Sequence, residues 1–205
     1  MSEVQALLFD LGGVLIALDF DRIVRSWAEK ANCEAEEIRD RFHLDAPYER
    51  HERGEIDASE YFATLRNSLG ISLSDADFLA GWNDVFIDPI VGIEPLLRAA
   101  SQTFPLYVFT NSNPAHQRIW TERLRRELTW FESVFVSSEL GLRKPDPAAF
   151  AEVARRVGRP ASHFAFFDDT PENVAGAEDA GMRGVVVRSP EDVRTALRQL
   201  GVKVP

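Results

Sequence analysis

Residues 4–14 read Val4-Gln5-Ala6-Leu7-Leu8-Phe9-Asp10-Leu11-Gly12-Gly13-Val14, an apolar run that stops at an acid and turns through two glycines. Pro105 to Phe109, Ser133 to Val136 and His163 to Phe167 are further short apolar runs, and Gly184 to Val187 makes a fifth. Continuous rather than alternating apolarity suits strands buried on both faces, as in a parallel sheet covered by helices. Helical spacing lies between them. Ile93, Leu96, Leu97 and Ala100 stand at i, i+3, i+4 and i+7, and Phe150, Val153, Ala154 and Val157 repeat the pattern. Val193, Leu197 and Leu200 close the chain in the same way. Strands alternating with helices imply right-handed crossovers and a doubly wound α/β core.

Residues 19–87 break that alternation. Phe20, Ile23, Val24 and Trp27 share one helical face, and further helix-like segments rich in Glu and Arg follow. Turn signals fall at Ala46-Pro47, Arg53-Gly54 and Leu69-Gly70, and no strand is expected here. The expectation is a Rossmann-like core of residues 1–18 and 88–205 with an inserted all-helical cap over 19–87.

The 205-residue chain carries a net charge of −10 with 45% hydrophobic residues. That argues against a nucleic-acid or anionic-membrane surface, which needs clustered Lys and Arg. A local phosphate site is still allowed, because helix ends and a bound cation can outweigh global charge. The N-terminus lacks a basic n-region and cleavage site, and Cys33 is the one cysteine, so a reducing, cytoplasmic setting is expected. Oligomeric state is not legible.

In an open parallel sheet, ligands bind beyond the carboxyl ends of the strands. Asp10 ends the first run; taken alone it reads as a turn residue before it reads as a catalytic one. The second run ends Thr110-Asn111-Ser112-Asn113-Pro114, where Asn113 caps a helix begun by Pro114. The same segment can aim a hydroxyl and backbone N–H groups at an anion. Lys144 precedes another cap pair, Asp146-Pro147, and could be merely solvated. Asp168-Asp169 is harder to explain, since a cap needs one acid. Two carboxylates about 4 Å apart repel by roughly 4 kcal/mol at an effective dielectric of 20. A cation or lysine removes that cost, and an all-oxygen set suits Mg²⁺. His43, His51, His116 and His163 are scattered and suggest no zinc site.

Taken together, the hydrophobic strand with Asp10, then Thr110, Lys144 and Asp168-Asp169 resemble, in order, the four motifs of the haloacid dehalogenase superfamily. Phe9-Asp10-Leu11-Gly12, His51-Glu52-Arg53-Gly54-Glu55-Ile56, Gly141-Leu142-Arg143-Lys144-Pro145 and Phe166-Phe167-Asp168-Asp169 further resemble bacterial α-D-glucose-1-phosphate phosphatases. The resemblance implies a phosphatase acting on a small phosphorylated metabolite, a sugar phosphate, through an aspartyl-phosphate at Asp10. It implies Mg²⁺ held by Asp10, the carbonyl of Gly12, Asp168 and Asp169. Thr110, Asn111 and Lys144 would bind the phosphoryl group, with Thr110 and Lys144 also serving catalysis.

One position departs from the pattern. Most phosphatases of the superfamily carry an acid/base Asp two residues after the nucleophile, and here that residue is Gly12. General acid–base groups are worth roughly 10²–10⁴ in rate. The expectation is a slow enzyme, or one that protonates its leaving group through substrate, water or a cap residue such as Glu49, His51 or Glu52. Two rivals remain: a 2-haloacid dehalogenase, against which Asp168-Asp169 speaks, and a catalytically weak module that binds a phosphorylated ligand or a partner. Trp82, Phe42, Tyr48 and Arg50 are candidates to line the pocket.

Overall fold

A computed structural model describes residues 3–205. In chain order the elements begin with β1 (Ala6–Phe9) and β2 (Ile16–Leu18). Five helices follow: α1 (Phe20–Ala31), α2 (Ala35–Arg39), α3 (Ala46–Glu52), α4 (Ala58–Leu69) and α5 (Asp75–Asn83). Next come β3 (Phe86–Pro89), α6 (Ile93–Ser101), β4 (Leu106–Thr110), α7 (Pro114–Arg123), β5 (Ser133–Val136) and α8 (Ser137–Leu140). The chain ends with α9 (Pro147–Val157), β6 (Phe164–Asp168), α10 (Pro171–Asp179), β7 (Arg183–Val186) and α11 (Pro190–Gln199).

The five expected strands form one parallel sheet in the order β5-β4-β1-β6-β7, their ends shifted by at most two residues from the sequence reading. β1 lies at the centre, paired with β4 on one edge and β6 on the other, and both of its faces are covered. Leu7 and Phe9 pack into the larger apolar core with α6 and α11, while Ala6 and Leu8 pack on the other face against α9 and α10. Phe9 and Phe167, paired in register on neighbouring strands, stack with ring centroids 4.5 Å apart. The sheet order reverses across β1, so the crevice beyond its carboxyl end is the place for a ligand.

Helices α1 to α5 form the cap region, and its apolar interior is continuous with the larger core of the sheet. Asp19, Asp45, Asp57 and Ser74 cap four of these helices with their side chains. Trp27 stacks on Trp82 at 6.0 Å and donates its indole N–H to the Phe78 carbonyl at 3.1 Å. Gly81 is what admits this packing, for a Cβ there would lie 2.4 Å from Trp27 Cδ1.

The expectation of no strand between Asp19 and Asp88 is overturned. β3 pairs antiparallel with β2, joining Ile16 to Pro89 and Leu18 to Phe86 at the neck where the chain leaves and re-enters the α/β core. A four-residue strand ending Asp88-Pro89 carries no periodic signal, and proline in a run argues against a strand unless it is at an edge, as here.

Gly176 lets α10 rest on the loop that follows Lys144. A Cβ at this position would meet the Pro145 carbonyl oxygen at 1.9 Å, so the helix approaches backbone directly.

Candidate active site

Asp10 continues β1, its N–H donating to the Phe167 carbonyl at 2.8 Å, so its side chain stands at the carboxyl edge of the sheet. Lys144 arrives from the loop before α9. Its Nζ lies 2.7 Å from Asp10 Oδ1 and 2.7 Å from Asp168 Oδ2, and its side chain is 1% exposed. The ammonium sits over the rings of Phe109 and Phe166, 5.5 and 5.4 Å from their centroids, where cation–π attraction offsets some lost hydration. Asn111 holds the main chain of Lys144 from both sides: its Oδ1 accepts the Lys144 N–H and its Nδ2 donates to the Lys144 carbonyl, each at 2.9 Å. The Lys144-Pro145 peptide bond is cis.

Asp168 is fully buried and saturated with donors. Besides Lys144 it accepts from the Thr170 N–H at 2.8 Å and from Asn173 Nδ2 at 3.1 Å to each oxygen. Asp169 instead faces the crevice, with the Thr170 hydroxyl donating to it at 3.2 Å. Its closeness depends on Gly13, whose φ of +70° a side chain resists and whose Cβ would strike Asp169 Oδ2 at 2.0 Å. One carboxylate oxygen from each of Asp10, Asp168 and Asp169 lies within 4.8 Å of the others.

The charges do not balance. Burial pushes the Asp10 carboxyl up to about 7; Lys144 opposes that rise and Asp168 adds to it. Burial works against the Lys144 ammonium, yet Asp10 and Asp168 together hold its pKa above the ordinary value. Burial, then Asp168, raises the Asp169 carboxyl. Ionising all three carboxylates beside one lysine would leave two negative charges, which is why their pKa values rise and what a divalent cation would match; hard oxygen donors suit Mg²⁺. The residues fit such an ion.

Asp10, Lys144 and Asp169 form the floor of a cavity of about 530 Å³ between core and cap, with Asp168 buried behind the lysine. Thr110 and Gly12 line it beside Asp10, and Ser112, Glu52, Tyr48 and Arg143 line it above. Glu52 and Arg143 are the contacts that the sequence left without a geometry. Arg143 donates to Glu52 Oε2 at 2.9 Å and to Glu49 Oε1 at 3.1 Å, while the Tyr48 hydroxyl donates to Glu52 Oε1 at 2.6 Å. Burial raises the Glu52 carboxyl against the pull of Tyr48 and Arg143. The Ser137 hydroxyl lies 2.6 Å from the Glu52 carbonyl and accepts the Ser112 N–H at 2.9 Å, joining cap to core at the same point.

Among the pocket candidates, Tyr48 lines the cavity, whereas Trp82 is buried in the cap interior and Arg50 pairs with Glu55 on the surface. Phe42 packs edge-on to Trp27 and Trp82. His51 stacks on Tyr61 with Nδ1 3.1 Å from the Ile56 carbonyl, away from the carboxylates. His116 reaches the cavity but stacks on Trp82 and sets Nε2 3.0 Å from the Trp82 carbonyl. Burial lowers its pKa to about 3, so it is neutral.

An open parallel α/β sheet with a lysine-bridged carboxylate cluster at the carboxyl end of its central strand, roofed by helices, defines a hydrolase-like architecture. The chain belongs to the haloacid dehalogenase-like hydrolases, whose family pattern matches residues 4–181. It is similar to the sesquiterpene phosphatase astK of Aspergillus oryzae, at 26% identity over 97% of each chain. It is also similar to the D-ribitol-5-phosphate phosphatase of Bacteroides thetaiotaomicron, at 21% identity over 95% of this chain and 97% of the relative. A haloacid dehalogenase-family enzyme of the same bacterium, solved as a magnesium complex, superposes with a TM-score of 0.83 at 26% identity, covering 96% of this chain and all of the other. Among the described residues no helix is long and apolar enough to cross a membrane.

Removing one partner of a buried ion pair costs about 3–5 kcal/mol. Lys144→Met is expected to lose stability on that scale in urea titrations at pH 8. Without the lysine the Asp10 carboxyl rises beyond about 7, so the folded variant keeps a proton that the unfolded chain releases above about 4. Wild-type Asp10 keeps its proton up to about 7 as well, so the deficit relative to wild type grows only as pH rises above about 7. A deficit independent of pH would contradict this account of the triad.

Proposed function

We propose that the protein is a Mg²⁺-dependent phosphatase that hydrolyses a small phosphate monoester through an aspartyl-phosphate at Asp10. The observation that carries the reading is the two-charge deficit left by Asp10, Asp168 and Asp169 around the single ammonium of Lys144. Asp10, Asp169 and the Gly12 carbonyl would hold the ion, with Asp168 contributing from behind Lys144. Bound there, Mg²⁺ supplies charge neutralisation for the phosphoryl oxygens.

Asp10 attacks phosphorus in line, and the bond to the ester oxygen breaks with its electron pair passing to the leaving group. Lys144 and the Thr110 hydroxyl stabilise the charge that spreads over the phosphoryl oxygens, with the Asn111 segment holding Lys144 in place. Water then attacks the phosphorus of the aspartyl-phosphate, releasing phosphate and restoring the Asp10 carboxylate. The leaving oxygen takes its proton from solvent, because Gly12 brings no acid and both Glu52 oxygens already accept hydrogen bonds.

Two readings of the ester have support. Four segments resemble glucose-1-phosphate phosphatases, and a sugar-alcohol phosphatase is among the relatives, which supports a sugar phosphate. The sesquiterpene phosphatase supports an apolar ester. In this reading residues 19–87 act as the substrate-selecting cap over a core of 1–18 and 88–205, and the lone thiol Cys33 accords with a cytoplasmic setting.

A screen of phosphorylated metabolites with Mg²⁺ tests the reading. Wild type is expected to turn over at least one ester, with activity lost on adding EDTA and in Asp10→Asn; turnover that survives both treatments, or no ester turned over at all, would sink it. A second variant tests the missing acid. A Cβ on Gly12 would stand 2.6 Å from Leu18 Cδ1, so Gly12→Asp must displace that methyl. The double variant Gly12→Asp with Leu18→Ala is expected to gain rate toward the roughly 10²–10⁴ of a general acid–base group and to acquire a new ionisation in its pH–rate profile. An unchanged rate and profile would show that proton transfer does not limit turnover.

A further inference from the structure

The cavity is built unevenly. Its floor carries Asp10, Asp169, Lys144 and Thr110, while Leu18, Phe20, Leu44, Val85, Phe86 and Trp120 make an apolar wall above them. Among the described residues four large apolar side chains are exposed, and two of them, Phe20 at 38% and Leu44 at 53%, belong to this wall. Singly exposed apolar residues are ordinary; two converging above a ligand floor mark a surface meant to be covered.

The wall also descends to the floor. Leu18 Cδ1 fills the space beside Gly12, 2.6 Å from where a Cβ would stand, so the apolar wall reaches the position next to Asp10. The polar groups in the wall are already matched to one another: Tyr48 and Arg143 both donate to Glu52, Arg143 also donates to Glu49, and His116 faces the Trp82 carbonyl. Hydroxyl groups placed here would give up water and then compete with these existing bonds, which sites walled by apolar groups do not reward. At the rim Glu172 adds a negative charge that disfavours a second anionic group on the ligand.

We infer that the organic group of the ester is apolar, an aliphatic or aromatic monophosphate whose body lies on Leu18, Phe20, Leu44 and Phe86. This rests on the phosphatase reading of the floor and refines it, choosing the apolar ester over the sugar phosphate.

Calorimetric titration of the full chain with n-alkylphosphonates in Mg²⁺ tests it without requiring turnover. Affinity is expected to tighten about two- to fourfold per methylene from methyl to hexyl, with a negative heat-capacity change. Phe20→Ser and Leu44→Ser flatten that slope, whereas Leu79→Ser, 37% exposed and outside the cavity lining, preserves it. Affinity that is flat with chain length, or a slope untouched by both wall variants, overturns the inference. The two failures are separable. A steep series with no ester hydrolysed removes the phosphatase reading and keeps the apolar site, while hydrolysis of sugar phosphates with a flat series does the reverse.

Discussion

One ammonium group shared by two carboxylates organises this molecule. Lys144 is buried between Asp10 and Asp168, and the surrounding structure keeps it there. Aromatic rings on β4 and β6 pack beneath its charge, Asn111 grips its main chain, and Asn173 saturates Asp168 from the start of α10. A buried charge without partners costs several kcal/mol, so the triad is stable only as a whole. The strand ends that supply it cannot shift without breaking it. Because one lysine cannot neutralise three acids, the same arrangement that fixes the core leaves the crevice ready for a cation and a phosphoryl group.

Much of this was legible in the sequence, and for physical reasons. Strands buried on both faces are written as unbroken apolar runs, so β1, β4, β5, β6 and β7 stood out, and their polar ends located Asp10, Thr110 and Asp168-Asp169. What escaped were features set by tertiary contact. β2 and β3 are too short to show a period, and Pro89 disguised the second as a linker. Asn111 was read for an anion at its backbone, and nothing in its local sequence signals that its side-chain amide holds the backbone of Lys144. The two late acids are adjacent in sequence but unequal in space, one saturated behind the lysine and the other facing the cavity. Nothing local in Leu18 signals that its methyl fills the space beside Gly12.

Cap and core meet through the residue next to the central lysine. Arg143 binds Glu52 and Glu49 of α3 while Lys144 binds the floor, so a single dipeptide links substrate roof to chemistry. Gly12 leaves the position beside Asp10 without a carboxylate, and a methyl of Leu18 occupies the space next to it.

The central claim is that Asp10 carries the phosphoryl group. Quenching the protein in acid during steady turnover of any ester it hydrolyses, then sequencing its peptides by mass spectrometry, tests that directly. The account predicts a phosphate on the peptide containing Asp10, at Asp10 itself and removed by hydroxylamine. An unmodified Asp10 while ester is consumed under conditions that trap acyl phosphates, or a phosphate fixed on another residue, would contradict it.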